Sequence, residues 1–270
     1  MRPLGAATYG FLYRSTLEEA LTALAELGMR EVELTASPPH LWPAGAGAYE
    51  RLRLARRLRR LGLTVVSVNP TYLDLNLVSL NPAIRKATLG ELESCIELCH
   101  DLEGQLVVVI GGRRHGLLPS PLEDATGVLK RGLERLLRRA SALGVRLGLE
   151  AAPSLFLERT QDVVAVIEEM ADPGLRLVFD SANVFTAEDP LPAWRLASAH
   201  AGLVHLSDTT RSRWTHGAVG TGDVPFPALA EAIALTGYAG PSVLEVVDGA
   251  DPAGSLARSV AALAPLGWGA

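Results

Sequence analysis

Glu150, Asp180, His205 and Glu245 are the residues of this chain best suited to chemistry, because each sits in or at the end of an apolar run: Glu150 after VRLGL, Asp180 after LRLVF, His205 inside GLVHLSD and Glu245 after PSVL. Charged side chains in such runs are costly unless they are paired or bound to a cation. Two Glu, one Asp and one neutral imidazole form a hard, mostly oxygen donor set. It suits Mn²⁺, Mg²⁺ or Co²⁺, with Zn²⁺ also possible. A divalent ion held there polarises a carbonyl and acidifies the neighbouring carbon, and a carboxylate then removes the proton. Return of the proton to another face is epimerisation, return to the adjacent carbon is isomerisation, and loss of a β-hydroxyl is dehydration. The donor set alone does not choose among them. Taken singly, each residue has a plainer reading: Asp180 before SANVF as a helix cap, His205 as a hydrogen-bonded core residue. Their company lifts them above it.

These four residues meet only if the runs that carry them converge. The chain alternates short apolar runs with amphipathic stretches. The expected strands are LGAATYGFL, REVELTA, LTVVSVNPT, QLVVVIGG, VRLGLEAA, LRLVFDSAN, GLVHLSD and PSVLEVV. A helical pattern follows each. In STLEEALTALAELG, Ser15 or Thr16 caps, Glu18 and Glu19 fill the first turn and Gly28 ends the helix. AYERLRLARRLRRLG turns Leu52, Leu54, Ala55, Leu58 and Leu61 inward, and Pro82 suits the first turn of the next helix. A loop containing Tyr72, Asp74 and Asn76 precedes that helix, and a long loop from Thr209 to Pro225 follows the seventh strand. Eight strand–helix units of about 30 residues, with uniformly apolar strands, predict an α/β fold of (β/α)8 barrel type over residues 1–270 as one domain. An open doubly wound sheet would want a GxGxxG turn after its first strand, which TYGFLYRS does not supply.

Barrel strands deliver their C-terminal residues to one mouth. Residues 205 and 208 have opposite parity on a straight strand, so His205 is expected at the metal and Asp208 in the loop beyond. Glu33 ends the second strand, to orient substrate or a catalytic group or to serve as a structural hydrogen-bond partner. Asn69 offers a polar contact, and Tyr9 a pocket wall. Arg113, Arg114 and His115 either grip a phosphate or carboxylate or form a solvated basic loop. Arg211, Arg213, Trp214 and His216 lie in the long loop, where Trp214 either covers a sugar face or packs on a partner subunit.

Composition narrows the classes. A net charge of −5 argues against a nucleic-acid partner. No apolar run reaches the ~18 residues of a membrane span and MRPLGAATYG has no signal-peptide core, so a soluble cytoplasmic protein is expected. Cys95 and Cys99 read as a buried helix face, since no other Cys is present to complete a cluster.

The segments LGLEAAPS, LVFDSANVF, LVHLSD, GTGDVPFPALAEAIALTGYAG and PSVLEVV make the chain resemble the xylose isomerase-like TIM barrel superfamily of sugar and sugar-phosphate isomerases and epimerases. The resemblance runs through the whole strand order. It implies one divalent metal, Mn²⁺ foremost, on Glu150, Asp180, His205 and Glu245, with Glu150 and Glu245 also acting as the catalytic pair on opposite faces of the substrate. It implies that Arg211, six residues after His205, contacts substrate oxygens. Two departures stand out: Asn183 occupies a position where relatives often carry a substrate-contacting His, and Gly220-Thr221-Gly222-Asp223 lacks an acid that the relatives' loop carries. The implied function is a metal-dependent isomerase or epimerase of a small carbohydrate, often assembled as a homo-oligomer. A dehydratase of a keto-inositol or keto-acid, or a non-catalytic sugar-binding barrel, are the alternatives. The superfamily's endonuclease IV branch needs several His for three zinc ions, and six His with an acidic balance oppose it.

Overall fold

The computed structural model describes residues 1–71 and 74–269. The elements run β1 (Arg2–Ala7), α1 (Leu17–Glu26), β2 (Glu31–Thr35), α2 (Ala48–Leu61), β3 (Thr64–Asn69), α3 (Pro82–Asp101), β4 (Leu106–Ile110), α4 (Leu122–Ala142), β5 (Arg146–Glu150), α5 (Thr160–Met170), β6 (Leu175–Asp180), α6 (Ser181–Ala187), α7 (Pro190–Ala197), β7 (Ala201–Leu206), β8 (Asp208–Thr210), β9 (Arg213–Gly217), α8 (Phe226–Leu235), β10 (Ser242–Leu244), α9 (Pro252–Leu263) and β11 (Trp268–Gly269). Strands β1 to β7 and β10 pair in parallel in sequence order, and β10 closes on β1 through Leu4↔Ser242, Gly5↔Val243 and Ala6↔Leu244. The eight-stranded parallel barrel expected from the alternation is therefore present. β11 pairs in parallel with the start of β1 through Arg2↔Trp268 and Pro3↔Gly269, with the Arg2 guanidinium 3.9 Å over the Trp268 ring.

Two apolar cores follow from the period-2 alternation along each strand. Leu147, Leu149, Leu177, Phe179, Val204 and Leu206 face the helices and join the large outer core. Their strand neighbours Val178 and Leu203 turn inward and pack with Ala7, Val66, Leu106, Val108 and Val243. Gly148 belongs to the same inner layer, where a Cβ would stand 2.6 Å from Val178 and 2.7 Å from Leu106. Each chemically promising residue lies two positions further along its strand: Gly148 leads to Glu150, Val178 to Asp180, Leu203 to His205 and Val243 to Glu245. The barrel floor therefore determines which side chains reach the mouth.

Local signals were largely accurate. Thr16 caps α1 in a reciprocal capping box with Glu19, and Asn81 caps α3 ahead of Pro82. Cys95 and Cys99 are buried free thiols on α3, as their helical spacing predicts. Four local expectations need correction. The first strand ends at Ala7, and Tyr9–Phe11 form a 3-10 turn. β6 ends at Asp180, because its carboxylate accepts the Asn183 N–H and starts α6. Leu52 is 45% exposed, at the edge of an α2 stripe centred on Ala55 and Leu58. The segment after β7 contains an antiparallel hairpin, β8–β9, pairing Asp208 with Gly217 and Thr210 with Arg213. Tyr72, expected in a loop, lies outside the described residues.

Candidate active site

At the C-terminal mouth, Asp180 and His205 are register partners on β6 and β7, and His205 is paired with Val243, two residues before Glu245. One donor atom from each of Glu150, Asp180, His205 and Glu245 lies within 4.8 Å of the others, and all four residues are buried. His205 is fully enclosed. Its Nε2 donates to Glu33 Oε2 at 2.9 Å, which turns Nδ1 toward the carboxylates. Nδ1 lies 3.6 Å from Glu245 Oε2, 3.7 Å from Glu150 Oε1 and 3.9 Å from Asp180 Oδ2. These distances are too long for hydrogen bonds.

Two buried polar atoms of this cluster, His205 Nδ1 and Asp180 Oδ2, have no hydrogen-bond partner. Buried polar atoms are nearly always satisfied, and unsatisfied ones at a converging point suit an ion. The electrostatics agree: at an effective dielectric of about 20, two carboxylates 4.8 Å apart repel by about 3.5 kcal/mol, and three meet here. Burial raises the Glu150 and Asp180 carboxyls above their usual range. Burial would lower His205, but the charges of Glu33 and Glu245 outweigh it and hold the imidazole well above its ordinary value. A site that raises the proton affinity of Glu150, Asp180 and His205 together is one that asks for positive charge. Three oxygen donors and one nitrogen therefore fit a divalent cation.

The surrounding side chains hold the four in place. Glu33 is fully buried and accepts from Ser67 Oγ (2.7 Å), Asn69 Nδ2 (3.0 Å) and His205. Burial alone would raise its carboxyl, but His205 and these donors outweigh that and keep it low. Asn69 Nδ2 also donates to Glu245 Oε1 at 2.9 Å. Ser67 and Asn69 share a face with Val66 because the β2–β3 register shifts between Val32 and Glu33, leaving Val66 as an extra residue. That shift was not legible in the sequence. The one available signal for Ser67 was its place two residues before Asn69.

His216 on β9 lies 3.1 Å from Glu245 Oε2 and 3.8 Å from Asp180 Oδ2, and its Nδ1 is 3.1 Å from Ser207 Oγ. Burial pulls its pKa down, but Asp180 and Glu245 outweigh that and raise it to about 9. Asn183 donates from Nδ2 to Glu150 Oε1 at 2.9 Å. A cavity of about 340 Å³ opens above the cluster, walled by Tyr9, Asn69, Pro70, Thr71, Ile110, Ala152, Asn183, Trp214, Thr215, His216 and Val247 with Glu150 and Glu245 at its base. A depression of about 370 Å³ between α1 and α2 has no such cluster, and its Arg51 and Arg53 are paired with Asp101 and Glu18.

Glu33, Asn69, Asn183 and His216 are thus gathered at the mouth as the sequence suggested. Three expected substrate contacts are not. Asp208 is buried below the hairpin, and its carboxylate accepts the N–H groups of Thr209, Gly220 and Val224 at 2.8–3.1 Å. Gly222 packs so closely on this arrangement that a Cβ would stand 2.3 Å from the Thr209 carbonyl oxygen, so the Gly-Thr-Gly-Asp turn serves backbone packing. Arg211 lies 4.1 Å over the Phe185 ring and donates to the Phe185 and Glu188 carbonyls at the C-terminal end of α6. Those orphan carbonyls draw a guanidinium away from the cavity. Arg113 is exposed, with its backbone bonded to the Asn76 side chain, and His115 folds back on the Leu117 and Leu118 amides. That segment is tied to the loop after β3 and to itself.

A family model described as a xylose isomerase-like TIM barrel matches residues 21–266. An L-ribulose 3-epimerase from Mesorhizobium japonicum is 29% identical over 231 residues, covering 84% of this chain and 74% of that protein. A ketose 3-epimerase from Arthrobacter globiformis is 29% identical over 188 residues, covering 67% of this chain and 62% of its own length. Among solved structures, a D-tagatose 3-epimerase-like protein superposes with a TM-score of 0.86 at 20% identity over 98% of this chain and 97% of that one. An L-ribulose 3-epimerase superposes at 0.84 and 24% identity over 98% and 94%. At these identities the likeness to the solved structures is one of fold.

Proposed function

Because the chain belongs to the xylose isomerase-like TIM barrel family, we propose that it is a divalent-metal-dependent epimerase of a small free ketose, acting at the carbon next to the carbonyl. The observation that carries this reading is the pair of buried glutamates, Glu150 and Glu245, lining one cavity beside two unpartnered buried polar atoms. The curated relatives named above are 3-epimerases, which supports C3 as the reacting centre.

In this reading Glu150, Asp180, His205 and Glu245 hold one ion, with Mn²⁺ preferred by three hard oxygens and one imidazole. Such an ion would supply Lewis acidity, making the hydrogen on the carbon beside a substrate carbonyl easier to remove. The protein does the rest. Asn69 and Glu33 fix the glutamate and imidazole orientations. One glutamate takes the C3 proton, breaking the C–H bond and leaving the electron pair delocalised toward C2. The other, starting protonated on the opposite face, gives its proton to C3 and inverts it, so the two glutamates exchange protonation states over one turnover. Tyr9, Ile110, Trp214 and Val247 cover the sugar and restrict water. Among the described residues the cavity wall contains no Arg or Lys, which supports an unphosphorylated substrate. No described helix is long and apolar enough to cross a membrane. The free Cys95 and Cys99 suit a reducing compartment such as the cytoplasm. We also read the chain as one domain, because β10 closes the barrel on β1.

The test is deuterium uptake at C3 of a panel of ketoses in D₂O, using protein stripped of metal and reloaded with Mn²⁺, Mg²⁺, Co²⁺ or Zn²⁺. Metal-dependent uptake with formation of the C3 epimer supports the proposal. Loss of water assigns the site to a dehydratase. No exchange with any ketose after reloading refutes the epimerase reading.

A further inference from the structure

Trp214 stands on β9, 38% exposed as a residue, with its indole Nε1 donating to Asn183 Oδ1 at 2.8 Å. Asn183 in turn donates from Nδ2 to Glu150 Oε1 at 2.9 Å, while its backbone N–H donates to Asp180 Oδ1 at 2.6 Å. Nothing in the epimerisation step itself requires the indole.

An indole N–H is a donor only, so it reads which end of the amide faces it. If the Asn183 amide flipped, its NH₂ would oppose the indole N–H and its carbonyl oxygen would oppose the Glu150 carboxylate. Both contacts would be repulsive, in a buried site where they are felt strongly. The indole therefore keeps a donor aimed at Glu150. The oxygen it steadies, Oε1, is also the one 3.7 Å from His205 Nδ1.

The hairpin that carries Trp214 is itself well anchored. Asp208 ties its base to the Gly220 and Val224 amides. Thr209 Oγ1 links the two strands through the Arg213 carbonyl and the Thr215 N–H. The Val247 N–H donates to the His216 carbonyl at 2.7 Å, which joins β9 to the chain just after Glu245. Trp214 also lines the cavity, so a side chain on the cavity wall sets the glutamate.

We propose that Trp214 is a positioning residue that holds Glu150 in its reactive geometry through the Asn183 amide, so that the β8–β9 hairpin couples occupancy of the cavity to the acid–base group. The catalytic part of this inference rests on the epimerase reading; the hydrogen-bonded relay does not.

Two measurements test it. The first uses ¹⁵N-labelled protein and needs no substrate. The Trp214 indole N–H resonance is assigned by its loss in Trp214→Phe. In Asn183→Ala it should move upfield and exchange faster with solvent. Asn183→Ala keeps the backbone bond that starts α6, so the fold is retained. A resonance that does not move overturns the relay. The second is a double-mutant cycle on ketose epimerisation. Trp214→Phe keeps an aromatic ring on β9 but loses the indole N–H and part of the ring surface, so kcat should fall about tenfold, as for one lost bond to a charged group's partner, with KM changed less than about twofold. Asn183→Ala should lose more, and adding Trp214→Phe to it should cost nothing further. Additive losses, or a loss confined to KM, would mean that Trp214 only contacts the sugar and would overturn the proposal. A wild-type protein that turns over no ketose sinks the function reading, and the indole resonance then decides the relay alone.

Discussion

Glu33→Gln is the most informative single change, because Glu33 touches no cavity space yet holds three donors. Its Oε2 accepts from His205 Nε2 and Ser67 Oγ, and its Oε1 accepts from Asn69 Nδ2. A glutamine keeps one acceptor and substitutes a donor for the other. If its carbonyl faces His205, its NH₂ meets the Asn69 NH₂. Flipping Asn69 to relieve this turns an oxygen toward Glu245 Oε1, where a donor stood 2.9 Å away. If its NH₂ faces His205 instead, the imidazole must accept at Nε2 and carry its proton on Nδ1, the atom that faces the carboxylates. Either outcome would disturb the proposed metal site without removing one of its candidate ligands. Changes of this kind around a metal-binding histidine typically weaken metal affinity by about 10- to 100-fold. Mn²⁺ held at about 1,000 times the wild-type Kd stabilises wild type by about 4.1 kcal/mol, and the variant by about 1.4–2.7 kcal/mol. With an unfolding entropy of about 0.57 kcal/mol/K for 270 residues, the metal-induced rise in Tm is about 7 °C for wild type and about 2–5 °C for Glu33→Gln. Mn²⁺ titration by calorimetry and thermal melts with and without metal read both numbers. A variant that binds Mn²⁺ with wild-type affinity would refute the assignment of Glu33 as the residue that sets the His205 tautomer.

Three further outcomes are expected. Glu150→Gln and Glu245→Gln should each lower kcat for C3 exchange by about 10²–10⁴-fold, measured by deuterium uptake; near-wild-type turnover in either removes that residue from the proton exchange. Gly148→Ala places a Cβ 2.6 Å from Val178 and 2.7 Å from Leu106 inside the barrel; the overpacking should cost about 1–3 kcal/mol and lower Tm by about 2–5 °C. Burial pushes the Cys99 thiol up to about 12. The folded protein therefore holds this proton where the unfolded chain loses it. The associated stability is complete below the unfolded value near 9 and is lost as pH rises toward 12. Native protein should leave Cys99 unreacted with a thiol reagent at pH 8 and expose it in denaturant, and rapid labelling of the native protein would contradict the buried placement.

The eight parallel strands and their order were legible because a parallel barrel covered by helices requires continuous apolar strands alternating with amphipathic helices. The alternation is strong enough to read without tertiary information. The four candidate ligands were legible for a related reason: a charged residue at the end of an apolar run is expensive and rare. Reading stopped where long-range contacts took over. Arg211 has the spacing of a substrate contact, but its guanidinium is held by Phe185 and the end of α6. Asp208 has the chemistry of a mouth residue, but three backbone amides claim it. The β8–β9 hairpin has strands of 3 and 5 residues, too short to show a period. The sequence by itself therefore determined the barrel and singled out the four candidate ligands, through burial cost and periodicity, which are local. Tertiary structure alone decided that Glu33 orients His205, that Asn69 joins two acids, and that Trp214 reaches Glu150 through Asn183. Those roles depend on which atoms of distant strands come within about 3 Å, and no spacing along the chain encodes that.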